Sequence, residues 1–72
     1  MREFTDRQQQ VLHMIGAGCC NKRIARVLDL SVSTVMTHVT AVKAKVRITD
    51  DPSGRRLACF AARWVDAQKV AA

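Results

Sequence analysis

Thiols, imidazoles and hydroxyls are the side chains here that could act on something, and their spacing argues against catalysis. Cys19, Cys20 and Cys59 supply three thiols, and His13 and His38 two imidazoles. A tetrahedral metal centre draws its ligands from closely paired positions, and Cys19, Cys20, His13 and Cys59 lack that spacing, so no metal or other cofactor is expected. No Ser, His and Asp set and no pair of carboxylates stands out, so no enzyme is expected. An odd number of cysteines in a chain whose opening "MREFTDRQQQ" lacks the basic-then-apolar order of a secretory signal reads as reduced thiols in the cytoplasm. One thiol has a distinctive setting. Cys20 stands where a helix is predicted to begin, beside Lys22 and Arg23, and both features favour the thiolate that oxidants attack.

Binding is better supported than catalysis. Twelve Lys and Arg against six Asp and Glu leave a formal charge of +6, which favours an anionic partner without choosing among nucleic acid, a membrane surface and an acidic protein. No apolar run of about 18 residues is present, so no membrane span is expected. With Phe4, Phe60 and Trp64 as the whole aromatic complement, stacking on single-stranded nucleic acid is disfavoured. Residues 33–44 offer something different. Ser33, Met36, Thr37, Thr40, Ala41 and Ala44 are uncharged and mostly small, as a surface approaching base edges must be. Their hydroxyls can donate or accept, and the methyl groups of Thr, Ala and Met36 can touch a thymine methyl. Lys43, Lys45 and Arg47 follow, where cations suit both a helix C-terminus and nearby phosphates.

Four helical segments must position these groups. Thr5 with Gln8 three residues later forms the pattern of a capping box, and Val11, Leu12 and Ile15 then recur at helical spacing before Gly16 and Gly18, predicting a helix over about 6–16. A short basic segment over 21–28 puts Ile24, Ala25 and Leu28 on one face and Lys22, Arg23 and Arg26 on the other. The three residues Asp29, Leu30 and Ser31 then form a tight corner: Asp29 tolerates a left-handed conformation, Leu30 plugs the core, and Ser31 caps the next helix. Helix-turn-helix geometry follows, spanning about 21–47. In the third segment Val35, Val39, Val42 and Val46 lie on one stripe at 100° per residue, whereas a strand would split them between two faces. After "TDDPSG", Leu57, Phe60, Ala61, Trp64 and Val65 predict a fourth helix over 52–68, with Asp51 or Ser53 as its cap and Pro52 early in its first turn. The fold class is therefore all-α: one four-helix, bundle-like domain over 1–72 with a central helix-turn-helix.

The stretches "FTDRQQQVLHMIGAG", "NKRIARVLDLS" and "STVMTHV" resemble the LuxR/GerE-type helix-turn-helix family of bacterial transcription regulators. The resemblance covers about residues 4–48, and Asn21, Lys22, Ile24, Ala25, Ser31, Thr34, Val35 and His38 carry it. It implies sequence-specific binding to double-stranded DNA, transcriptional control and dimerisation through the last helix. Met36, Thr37 and Thr40 fall at positions that commonly read bases in the family. Lys22 and Thr34 match backbone-contacting positions, to which charge and location add Arg23, Ser33, Lys43, Lys45 and Arg47. Met36 replaces a usual lysine, Gln8 and Gln10 replace two common glutamates, and the segment from Ile48 to Ala58 is longer than usual.

A four-helix chain has little room to bury a complete extra stripe, so Leu57, Phe60, Ala61, Trp64 and Val65 are expected to contribute to a homodimer interface. At 72 residues no receiver or ligand-sensing module is expected beside the four helices. A second reading is a small adaptor or inhibitor that uses the same fold to bind RNA polymerase or another transcription regulator.

Overall fold

The computed structural model describes residues 4–71, with side chains through residue 68. Four helices make up the fold: α1 (Asp6–Gly16), α2 (Asn21–Leu28), α3 (Val32–Lys45) and α4 (Arg55–Ala71), with no strand among the described residues. The first begins as its sequence dictates. Thr5 Oγ1 accepts the Gln8 amide and Gln8 Oε1 accepts the Thr5 amide, each at 3.1 Å, so two otherwise orphaned donors are satisfied reciprocally. Ser31 caps α3 in the simpler way, its Oγ accepting the Thr34 amide at 3.1 Å.

The first three helices close with one device. In each, a left-handed residue lets the following amide reach back to a carbonyl five residues earlier: Gly18 (φ 89°) brings Cys19 N–H to Met14 O at 3.0 Å, Asp29 (φ 56°) brings Leu30 N–H to Ala25 O at 2.8 Å, and Arg47 (φ 60°) brings Ile48 N–H to Lys43 O at 2.9 Å. Glycine adopts this conformation without strain, whereas an arginine adopts it only at a cost. The corner between α2 and α3 is thus Asp29–Leu30–Ser31, as the sequence predicts.

Val11, Leu12, Ile24, Val35 and Val42 are the largest fully buried side chains. Phe4, Ala25, Val39, Leu57 and Ala61 complete the core, with Leu28, Leu30, Val46, Ile48, Phe60 and Trp64 packed around it. Helix α1 lies against both α4 and α3, and α2 packs on α3. The α1–α4 approach is close: a Cβ on Gly16 would lie 3.1 Å from both Ala61 O and Val65 Cγ2. Gly16 therefore lets the backbones meet, while Gly18 closes the helix.

Boundaries differ from expectation in two places. The α3 helix ends at Lys45, so Val46 is its half-buried C-cap and Arg47 lies beyond it. The α4 helix starts at Arg55 instead of 52, because Pro52 and Ser53 form a turn that continues into Gly54. Asp51 still caps the helix from a distance: its two carboxylate oxygens accept the Arg56 and Leu57 amides, both at 3.0 Å.

Candidate nucleic-acid interface

The valine stripe of α3 faces the core, and this turns Ser33, Met36, Thr37 and Thr40 outward, all exposed, with Ala41 half-buried beside them. Together these five line a shallow concavity of about 480 Å³. Two of its polar groups, Thr37 Oγ1 and Met36 Sδ, are already engaged. Thr37 Oγ1 donates to Ser33 O at 3.1 Å, one helical turn back. At the helix start the Ser31 and Thr34 hydroxyls share a hydrogen bond at 2.8 Å. Asn21 Nδ2, in the first turn of α2, donates to Met36 Sδ at 2.9 Å, which joins the two helices across their outward edge.

The cations assigned from sequence divide into two groups. Lys22, Arg23 and Arg47 are exposed, the first two beside Asn21 and the third just past the far end of α3. Asn21 meets Met36 in the second turn of α3, so Lys22 and Arg23 begin near that turn while Arg47 lies two residues past the helix end. Lys43 and Lys45 instead fasten the end of α3 to the rest of the chain. Lys43 Nζ lies 3.5 Å from Asp51 O and 3.8 Å from Asp51 Oδ2. Lys45 Nζ donates to Gln8 Oε1 at 2.8 Å and lies 5.7 Å from the centre of the Phe4 ring. These two lysines thus have structural contacts that the sequence did not reveal.

Asp51 anchors one of those contacts. Burial pushes its carboxyl upward, but the Arg56 and Leu57 amides, with the Lys43 ammonium and the Arg56 guanidinium adding to them, outweigh burial and hold the pKa below its ordinary value. At Cys20, the N-cap of α2, no side-chain capping bond forms. The Arg23 amide is nevertheless the main influence on the thiol and lowers its pKa, with the Lys22 amide and charge adding to it. Cys19, Cys20 and Cys59 are all free thiols.

The fourth helix uses its apolar stripe differently from expectation. Leu57 and Ala61 are 3% and 0% exposed within the chain itself, which removes them from any contact surface. Phe60 and Trp64 are half-buried against the Phe4 ring, at centroid distances of 6.3 and 6.1 Å, and Trp64 also meets His13 edge-on at 5.0 Å. Val65 is half-buried over Gly16. The stripe is thus occupied mainly by α1 because the α1–α4 contact is so close, leaving Arg55, Cys59, Ala62, Arg63 and Asp66 on the outer face.

Two helices joined by a three-residue corner, the second displaying an uncharged outward face, define a helix-turn-helix protein. Residues 2–58 match the bacterial regulatory proteins of the luxR family, GerE, and the chain belongs to that family. It is 39% identical over 47 residues to a monoamine regulon transcriptional regulator of Klebsiella aerogenes, covering 65% of this chain and 21% of that protein. It is 31% identical over 70 residues to the nitrate/nitrite response regulator protein NarL of Escherichia coli strain K12, covering 97% of this chain and 29% of NarL. The chain therefore spans less than a third of the length of these relatives. No solved structure matches it significantly.

Proposed function

We propose that the chain is a sequence-specific, double-stranded-DNA-binding transcriptional regulator that places α3 in the major groove and acts as a homodimer on two related half-sites. The observation that carries this reading is the exposed, uncharged face of α3, with exposed Lys22 and Arg23 following Asn21, which meets Met36, and exposed Arg47 past the far end of the helix. Met36, Thr37 and Thr40 face base edges; Lys22, Arg23, Arg47, Ser33 and Thr34 anchor phosphates, with Lys43 and Lys45 as secondary contributors. Two α4 helices meet through the outer face around Cys59, Ala62 and Arg63, flanked by Phe60 and Trp64. No helix among the described residues is long and apolar enough to cross a membrane, which accords with a nucleoid-associated protein of the cytoplasm.

Titrating the protein against a panel of duplexes at several salt concentrations tests the reading. Lys22→Ala should weaken all sequences alike and flatten the logarithmic salt slope by about one, whereas Thr37→Ala should narrow the gap between good and poor sites. If both variants change every affinity by the same factor, the division between reading and anchoring residues is wrong. The adaptor reading is favoured by one observation, the internal engagement of Lys43 and Lys45, which reduces the charge offered to phosphates. Co-purification with RNA polymerase or a single regulator, together with no footprint on DNA, would select it.

A further inference from the structure

We infer that the outward face of α3 discriminates base pairs by apolar contact with the C5-methyl group of thymine, Met36 being the contacting side chain and Asn21 the residue that positions it. This rests on the DNA-binding reading above. The first support is the tie between Asn21 Nδ2 and Met36 Sδ, 2.9 Å long, which leaves the methionine 45% exposed. A thioether with three rotatable bonds is ordinarily adaptable; held at sulfur, much of that freedom is removed before a duplex arrives.

The second support is what the neighbouring Thr37 hydroxyl no longer offers. The Thr37 proton is directed to Ser33 O, so it is not available to guanine O6 or N7 or to thymine O4. The third is the composition of the concavity. Guanine is read by a forked Arg or by Lys, and adenine by a paired Asn or Gln amide, and Ser33, Met36, Thr37, Thr40 and Ala41 include none of these; the Ser33 and Thr40 hydroxyls can bond to either kind of base and so do not choose between them. Besides those two hydroxyls they present a thioether and several methyl groups. In the major groove the matching feature on an unmodified base is the thymine methyl.

The experiment uses the whole chain and duplexes that it selects from a random-sequence pool, recopied with either thymidine or deoxyuridine triphosphate. This exchange removes the methyl and keeps every hydrogen-bonding group and every phosphate. Affinity should fall about fourfold for each contacted thymine, the factor associated with burying one methyl-sized group. Met36→Lys should bind both pools alike. Asn21→Ala should lower the thymine-over-uracil ratio while leaving melting temperature and salt slope unchanged. Equal binding of the parent protein to both pools overturns the inference and leaves DNA binding intact. A Met36→Lys protein that keeps the full ratio also overturns it, because the methyl then acts through duplex shape, and an unaltered ratio in Asn21→Ala removes the positioning role. Failure to retain any duplex in low salt overturns the DNA-binding reading and this inference with it.

Discussion

Replacing Gln8 by glutamate should make the fold more stable, and the contacts around Gln8 set the size of the effect. Gln8 Oε1 accepts the Thr5 amide at 3.1 Å and the Lys45 ammonium at 2.8 Å, so one neutral oxygen serves both the start of α1 and the end of α3. A carboxylate there gains from the α1 dipole about 0.3–1 kcal/mol. Its pairing with the exposed Lys45 adds roughly 0.2–1 kcal/mol. Opposing this is desolvation, since Gln8 is 8% exposed. A net gain of about 1 kcal/mol results, worth roughly 4–8 °C in melting temperature for a domain of this size. The sign with pH follows from the same contacts. Both partners depress the folded-state pKa of the introduced carboxyl below its unfolded value of about 4.3, so the gain is complete above that value and is lost as pH falls through the folded one. Thermal melts of parent, Gln8→Glu, Lys45→Met and the double variant, near neutrality and near pH 3, are the assay. A Gln8→Glu protein melting at or below the parent near neutrality would refute the reasoning, as would a gain that survives in acid.

Three further outcomes are expected. Asp51 has its pKa lowered in the folded state, so its contribution is present above the ordinary carboxylate value of 3.8 and disappears as pH falls through the depressed one; Asp51→Asn should melt several degrees lower than the parent at neutral pH, and the two curves should converge in strong acid. Arg47→Gly relieves a left-handed arginine and should stabilise the chain by about 1 kcal/mol, yet weaken duplex binding and flatten its salt slope by about one; a parallel loss of stability and binding would contradict this. Ala62→Arg, on the outer face of α4, should leave the monomer's melting unchanged while abolishing any dimer in sedimentation and weakening binding to paired half-sites more than to single ones.

What the sequence disclosed and what it concealed divide along a physical line. The capping box at Thr5 and Gln8, the Asp29–Leu30–Ser31 corner and the inward stripe of Val35, Val39 and Val42 were all legible, because each depends on residues within a turn or two of one another. The Lys43–Asp51 and Lys45–Gln8 links were not, since helical periodicity is silent about which long side chain crosses to another element. The same limit misplaced the aromatic stripe of α4: Phe60 and Trp64 look like surplus apolar area until Phe4 and His13 are seen against them. It also moved the start of α4, because Asp51 reaches past a turn to cap amides five and six residues on. These concealed contacts bear on function. The two lysine links fix the far end of α3, so the helix that carries the outward face is braced by Gln8 and Asp51 at one end and by the Ser31 cap and the Asn21–Met36 tie at the other. A helix held at both ends can present Met36, Thr37 and Thr40 in one geometry, and discrimination by methyl contacts, being short-ranged, requires that rigidity more than discrimination by a mobile lysine would.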